Sequence, residues 1–593
     1  MTRIPTAPGG WWHDYVCPTH GTELVGPDGD GHRCSRGCLV VGPRADGAHR
    51  VLEHQACARE LRRTAHRAAA TGAVEDRRTA VAMLEEYAKV YAGAVGPGWN
   101  EDAEPWMLRG RLFAQALTEA QWAVQVADAA IVLGPGALAP SVEEMFEDLL
   151  ATIEQSYAVL VEERQDERNN YTAWLGAAGA LVARALGAPD DIHAQWRHRV
   201  LRHVELAVGD DGWEWEGSTY YHLFVLRAYL LALRDADPAD LPGTAVEKIA
   251  AMIRVLAEVA APDGRIPALH DGPYDRVPAH REVLEIATLA RGLVTPVGLD
   301  TVERFARDRV GDADDGLEAS LTDWFAGGPV QVRAPSRDSV LFEQVGYAVL
   351  RDADDTFQVV VDAGPHGGSH GHHDKLAAYL YGAAPWQPAP GVPPYASPLR
   401  HGHYARTVAH PTVRVAGADQ DPVTGRVERW DPAAGCVVVS AEPYPGVRMR
   451  RTLQLGTDCV ADVTVVETDS PRDLALALRP AVELAVRTRG GGAETIWTAP
   501  DGATLHGFHA STTSAAPAAL VVGPGRGPSD DPAATRDVAD WTVAAAEHAV
   551  LASLYHHGSR PPQAVDIEIA PDGGATFRPT GPDGAAHTIE VAP

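Results

Sequence analysis

Apolar residues recur through the first half of the chain at helical spacing. Phe146, Leu149, Leu150, Ile153, Tyr157 and Leu160 form one stripe of an amphipathic helix, and Ser141 with Glu144 reads as a capping box at its start. Similar stretches occupy 59–70, 76–93, 108–132, 171–186, 193–208, 219–234 and 245–260, separated by Gly, Pro and Asp turns. Consecutive amphipathic helices with short connectors predict an antiparallel array over about 51–325, a solenoid or an (α/α) toroid of helical hairpins. No fixed sequence period accompanies them, which points away from a simple repeat protein. The pattern breaks at Phe325-Ala326-Gly327-Gly328-Pro329. Beyond it the period is two: Val413 and Val415 alternate with Thr412 and Arg414, and Val447, Met449, Arg451, Leu453 and Leu455 line one face. The chain therefore divides into a small Cys/His-containing segment (1–50), a helical domain (51–328) and an antiparallel β domain (329–593), expected to be a sandwich. The fold class is α+β multidomain.

Candidate chemistry is densest at Ser369-His370-Gly371-His372-His373-Asp374-Lys375-Leu376. Imidazoles titrate near neutrality and bind metals when neutral, so three within four residues, followed by an aspartate, predict proton transfer or coordination. Gly364, Gly367 and Gly368 ahead of them are expected to let the backbone approach a ligand, with Val359, Val360 and Val361 as a buried strand behind. The cluster falls where the β domain begins and can face the helices, and interdomain clefts are common ligand sites.

Composition narrows the partner. A chain of 593 residues exceeds what one core usually serves. Lys plus Arg number 51 and Asp plus Glu 80, and a net charge of 51 − 80 = −29 argues against a nucleic-acid or anionic-membrane partner. An anionic ligand would need a locally positive or amide-lined cleft. No segment reaches the roughly 18–20 apolar residues of a membrane span, and the start lacks the apolar stretch of a signal peptide, so a cytoplasmic protein is the expectation.

Six cysteines do not make a disulfide scaffold in so long a chain. Cys17 and His20, then Cys34 and Cys38, have the spacing of a small tetrahedral zinc site set among glycines; the alternative is a set of reduced, buried thiols. Cys57, Cys436 and Cys459 stand in apolar contexts and read as packing residues.

Two places in the helical half carry further polar groups. Asn169 and Asn170 precede the helix from Tyr171, and Asn170 reads either as its N-cap or as an amide donor aimed into a cavity. In the run from Asp211 to His222, Trp213, Tyr220, Tyr221 and His222 crowd a helix start, where they are core, a sugar platform or proton-transfer groups.

Five elements together resemble the heparinase II/III-like superfamily of polysaccharide lyases, closest to its oligoalginate-lyase-like branch. They are Cys17-Pro18-x-His20-Gly21, the Asn169-Asn170 pair, Glu216-x-Ser218-x-x-Tyr221-His222, His370-x-His372-x-Asp374-Lys375-Leu376, and Tyr404-x-Arg406-Thr407-x-x-His410. The resemblance implies a toroid followed by an antiparallel β-sandwich, with catalysis in the cleft between them. It implies β-elimination at a uronic acid of an anionic oligo- or polysaccharide, giving an unsaturated uronate. The C5 proton is too weakly acidic while the carboxylate stays charged, so neutral donors must stabilise the enolate-like intermediate, a base must take the proton and an acid must protonate the departing O4. The reaction consumes no metal or other cofactor. By resemblance Asn170 holds the carboxylate, Tyr221 is the acid and also a candidate base, and His370 is the second base or carboxylate neutraliser. Asn169, Tyr171, Trp213, Tyr220, His222 and Arg406 would line the substrate path.

The departures from that pattern are specific. Tyr171 and Leu175 stand where many relatives carry a histidine. The superfamily's β-domain zinc would use His372, an aspartate near Ala389, and His410; alanine cannot ligate, and Pro411 follows His410 where asparagine is usual. The acidic balance points away from sulfated chains toward a plain uronate oligomer. Two other readings stand beside the lyase: a glycoside hydrolase on a helical toroid, with Asp211, Glu214, Glu216 or Asp271 as its carboxylate pair, and a non-catalytic carbohydrate-binding relative.

Overall fold

The computed structural model describes residues 3–94, 104–134, 136, 138–272, 275–311, 317–489, 492–514, 518–580 and 588–592. The chain opens with a small antiparallel sheet of β1 (Leu24–Asp28), β2 (Gly31–Cys34) and β3 (Leu39–Val40). Ten α-helices follow among the described residues: α1 (Pro43–Thr71), α2 (Val74–Gly93), α3 (Ala116–Leu133), α4 (Pro140–Ala158), α5 (Asn170–Leu186), α6 (Asp190–Ala207), α7 (Thr219–Ala232), α8 (Gly243–Val259), α9 (Val277–Leu293) and α10 (Asp300–Val310).

Three local features differ from the expectations, each for a physical reason. Helix α1 begins well before the 59–70 stretch, because its first turns bury Ala45, Gly47, Ala48 and Val51, small residues that leave little hydrophobic signal. Helix α4 takes Pro140 at its first position, where the fixed φ suits a helix start; Ser141 and Glu144 lie inside it and form no capping box. The cap of α5 is Asn169, whose side-chain oxygen accepts the Tyr171 N–H at 3.0 Å, and this leaves Asn170 uncommitted.

Helices α1, α3, α5, α7 and α9 pack in succession as an inner ring, with the even-numbered helices outside. The ring ends at α1 and α9, and buried charge joins them. Arg62 of α1 meets Asp128 of α3 and, at 2.5 Å, Glu285 of α9; Arg227 of α7 reaches the same Glu285 at 2.6 Å. A short turn, Glu318–Leu321, packs across both end helices. A two-residue parallel pairing of β4 (Val294–Thr295) with β5 (Val330–Gln331) returns the chain to the end of α9.

The β domain is layered. Strands β6 (Val340–Phe342), β7 (Tyr347–Arg351), β8 (Gln358–Asp362) and β9 (Ala378–Tyr381) form an antiparallel sheet in that order, and β7 and β8 are buried along their whole length. Side chains alternate across a strand, so Ala348, Leu350, Val359 and Val361 face the larger sheet while Tyr347, Val349 and Val360 face Trp213, Val255 and Val259 of the helical domain. The larger sheet comprises ten antiparallel strands between Val413 and His556. A third sheet, Ala564–Ile569, Ala575–Thr580 and Ile589–Val591, packs on its far side through Phe577 against Val463 and Leu554.

Docking of the two domains uses the open carbonyl end of α8. Arg351 donates to the carbonyls of Glu258 and Ala260, Arg337 to Ala257 at 2.7 Å and Ala260 at 2.8 Å, and Gln358 to Val259 at 2.9 Å. These carbonyls have no partner within a helix, and cations at a helix C-terminus are favoured by its dipole.

Replacing Glu285 by alanine leaves Arg62 and Arg227 buried against each other. We expect Glu285→Ala to lower stability by about 3–5 kcal/mol, the range for breaking a buried ion pair from one side. Urea unfolding of the full chain measures it, and a loss under about 1 kcal/mol would show that the ring closes without this network.

Candidate active site

Two helix starts and one β-domain loop converge on a cleft of about 580 Å³. At the start of α7, the Ser218 hydroxyl accepts the Tyr221 N–H at 3.3 Å and donates to the Asp271 carbonyl at 3.0 Å, which holds Tyr221 in the first turn facing the β domain. The opposing loop carries His370. Its approach depends on Gly367, in the left-handed region at φ +83°, where a Cβ would lie 2.1 Å from the Glu216 carbonyl. This glycine thus serves contact between the domains rather than approach to a ligand. The Tyr221 and His370 rings stack with centroids 3.6 Å apart, and His370 Nδ1 lies 2.5 Å from Glu216 Oε1.

A second tyrosine completes the group. The Tyr221 hydroxyl is 2.6 Å from that of Tyr395, and the Arg400 guanidinium sits 3.9 Å over the Tyr395 ring. Arg400 also pairs with Asp271 at 2.6 Å, whose other oxygen takes His372 Nε2 at 3.1 Å. Burial, with Asp271 nearby, pushes the Tyr221 phenol well above its ordinary value, so it carries its proton at rest. Burial alone would raise Asp271, but the His372 hydrogen bond and Arg400 outweigh it and hold this carboxyl well below the usual range. Glu214 behaves oppositely: burial and neighbouring Glu216 push it well up.

Asn170, at the start of α5, is buried, lines the same cleft, and its Oδ1 has no hydrogen-bond partner. An amide so placed can turn either its oxygen or its NH₂ toward a ligand. Asn169 and Tyr171 line the cleft too, although Asn169 is occupied as a cap and the Tyr171 hydroxyl takes the Gln115 amide at 2.5 Å. Tyr220 stands between this cleft and a second, more apolar cavity of about 270 Å³.

Asn170, Tyr221 and His370 are therefore brought together. Three other expected site residues are not. Trp213 is buried among Phe342 and Tyr347 in the interdomain core. His222 is fully buried, donating from Nε2 to the Met252 carbonyl at 2.9 Å, because its place one residue past Tyr221 turns it to the back of α7. Arg406 is half exposed and bound to Asp419 and the His401 carbonyl, and Arg400 holds the position in the cleft. Tyr395 and Arg400 escaped the sequence reading because they lie in a Pro-rich, aperiodic stretch where only their residue types could have drawn attention.

The carboxylates proposed for a hydrolase are all committed. Asp211 accepts the backbone N–H groups of Trp213, Gln344 and Val345. Glu214 accepts the Glu216 N–H, Glu216 pairs with His370, and Asp271 is held by Arg400 and His372. Asp166 is the one carboxylate among the described residues lining the cleft, so no acid and base pair faces a glycosidic bond there.

Three side-chain groups among the described residues have the donor types of metal sites, one of them His270, Asp362 and Asp374, where Lys375 already pairs with Asp362. His372, Asp374 and His410 each offer a ligand atom within 4.8 Å of the others, so Asp374 supplies the carboxylate that Ala389, buried in apolar packing, does not. Yet Tyr379 already bonds both Asp374 (2.8 Å) and His410 Nδ1 (2.9 Å), and Lys375 and His270 lie 3.8 and 3.6 Å from Asp374. These cations balance the Asp374 charge, while Asp374 Oδ1 and His372 Nδ1 keep no hydrogen-bond partner. Near the N-terminus, the sulfurs of Cys17, Cys34 and Cys38 each stand 3.5 Å from His20 Nδ1.

The family model described as Heparinase II/III-like, C-terminal, matches residues 334–576. That stretch of the β domain is similar to a heparinase II/III-like C-terminal domain. The β domain supplies Ser369, His370, Tyr395 and Arg400 to the cleft, and the helical domain together with Trp11, Trp12 and His13 of the N-terminal segment supplies the rest. No curated protein matches the chain by sequence. Among solved structures, a heparinase III is 14% identical with a TM-score of 0.64 over 92% of this chain and 82% of its own. A heparinase III gene product is 15% identical at 0.61 over 92% and 85%, and a mutant of heparan sulfate lyase HepC from Pedobacter heparinus is 15% identical at 0.60 over 96% and 87%. At such identities the likeness is one of fold: a helical toroid, then a heparinase II/III-like β region.

Supporting histidines make stability sensitive to acid. His222 and His203, the latter bound to the Asn169 carbonyl at 3.0 Å, are both lowered by burial to about 4. A depressed histidine contributes stability that is present above its unfolded value, near 6.5, and lost as pH falls toward the folded one. Stability should therefore drop below pH 6.5 by roughly 1.4 kcal/mol per pH unit for each such group. Thermal unfolding of the wild type and His222→Gln from pH 7.5 to 4.5 tests this, and identical slopes would refute the role of His222.

Proposed function

We propose that the protein is a polysaccharide lyase cleaving a uronate-containing glycan by β-elimination. The carrying observation is the face-to-face placement of Tyr221 and His370, one from each domain, in a cleft that also holds the unpartnered amide of Asn170. Structural neighbours named heparinase III and heparan sulfate lyase support the reading.

The residues divide the work. Asn170 binds the uronate carboxylate through its amide and lowers the cost of the charge that develops when C5 loses its proton. Glu216 accepts His370 Nδ1–H, which leaves Nε2 with its lone pair toward the cleft as the base. Tyr221, kept protonated by burial, delivers its proton to O4 as the C4–O4 bond breaks and the C4–C5 double bond forms. Tyr395 hydrogen-bonds the Tyr221 oxygen and is the group that steadies it once the proton has left. The two cleft arginines, Arg164 and Arg400, are both engaged, with the Pro105 carbonyl and with Asp271, so a plain uronate oligomer suits this site better than a sulfated chain.

Incubation with a panel of uronate polysaccharides and their oligomers should yield an ultraviolet-absorbing unsaturated product. New reducing ends without that absorbance would indicate a hydrolase, and binding without either a non-catalytic relative. Tyr221→Phe should lower turnover 10²- to 10⁴-fold with unchanged circular dichroism. Full activity in Tyr221→Phe assigns the acid elsewhere. Glu216→Gln, which loses the charged partner of Nδ1, should lower kcat by about 10²-fold or more and leave KM nearly constant; a change confined to KM would make Glu216 a binding group.

A further inference from the structure

The Cys17, His20, Cys34 and Cys38 cluster is outside the cleft, and hydrogen bonding among protonated side chains does not account for it. A single imidazole nitrogen offers one lone pair or one N–H, yet three sulfurs approach His20 Nδ1 at the same 3.5 Å. Tetrahedral bonds of about 2.3 Å to sulfur and 2.0–2.1 Å to nitrogen place neighbouring N and S ligands about 3.5 Å apart, which matches. The ligand atoms of Cys17, His20 and Cys38 lie within 4.8 Å of one another, and none of these cysteines is in a disulfide.

The surrounding backbone has the turns that hold thiolates. Gly21 N–H donates to the Cys17 carbonyl at 2.8 Å and Gly37 N–H to that of Cys34 at 2.9 Å. Cys34 Sγ receives the Arg36 N–H at 3.4 Å and stands 3.4 Å from the Thr22 hydroxyl. Donors on the sulfur are what a charged thiolate requires.

The cluster also abuts the cleft. Gly21, at φ +71°, presses on the loop that carries Tyr395 and Arg400: a Cβ there would lie 2.8 Å from Leu399 Cδ1 and Ser397 Oγ. Just upstream, the His13 ring stacks on Tyr395 at 4.5 Å, and its Nδ1 accepts the Tyr395 N–H at 3.2 Å. Glu23 pairs with Arg276 of the helical domain at 2.9 Å, and Arg36 with Asp531 of the β domain at 2.6 Å. The segment is thus wedged against both halves.

We propose that Cys17, His20, Cys34 and Cys38 bind one zinc ion, and that this knuckle braces the Tyr395–Arg400 loop. The ion touches no substrate and takes part in no bond change. The proposal is independent of the reaction assigned to the cleft. A segment this short has little core of its own, so the metal supplies the folding free energy of the brace.

The full-length protein should contain one equivalent of zinc by elemental analysis. After exchange, Co²⁺ should show the absorption of a tetrahedral thiolate-bound ion. Cys34→Ser and Cys38→Ser should each lose most of the metal, while Cys57→Ser and His410→Gln keep it and His20→Cys retains a four-sulfur site. Chelation should raise amide hydrogen exchange across 394–400 by at least tenfold. A cobalt spectrum without thiolate absorption overturns the site, as does metal that survives Cys34→Ser and disappears in His410→Gln. Unchanged exchange at 394–400 after metal removal overturns the brace. Should the cysteine variants fail to fold, the cobalt spectrum of the wild type still decides the ligands.

Discussion

The arrangement of the cleft depends on how the β domain caps the end of α8. A helix leaves its last carbonyls without partners, and burying them unpaired would cost more than the docking surface returns. Here Arg337, Arg351 and Gln358 satisfy the carbonyls from Ala257 to Ala260. The sheet β6–β9 can then lie flat on the helices, with Tyr347 donating to the Gly217 carbonyl at 2.7 Å. That bond holds the start of α7, and therefore Tyr221, in register with the loop bearing His370. A shift of an ångström or two at this interface would separate the stacked rings, since hydrogen-bonded contacts tolerate little displacement.

Docking also sets the protonation states. Tyr221 keeps its proton because the β domain covers it, and Asp271 keeps its charge because Arg400 and His372, both from the β domain, reach it from the other side. Two acidic groups, one lining the cleft and one behind it, are held in opposite protonation states by their surroundings. Glu216 belongs to the helical half and His370 to the β half, so their 2.5 Å contact exists only when the halves are joined.

Several assignments made from sequence failed for a shared reason. Trp213 and His222 sit in the same short run as Glu216 and Tyr221, and composition does not distinguish them. Helical geometry does: adjacent residues project about 100° apart, so Tyr221 meets the cleft while His222 meets α8. Arg406 and Arg400 illustrate the same limit in a loop, where no period exists to say which arginine turns inward. Of the two roles left open for Asn170, the cap fell to Asn169, and Asn170 remained open to the cleft.

Periodicity alone determined the order of the domains and the point where helices yield to strands, because spacings of 3.6 and 2.0 are written directly in the apolar positions. Local residue density, not periodicity, exposed the histidine-rich loop, the Asn169-Asn170 pair and the four Cys/His positions. The tertiary structure decided which of those side chains meet. Asp374 beside His372 and His410, Arg62 across the ring from Glu285, and Tyr395 on Tyr221 join residues far apart in the chain. Such pairings are fixed by how whole surfaces pack and by the need to satisfy buried charge and carbonyl groups, and neither constraint leaves a local trace in sequence.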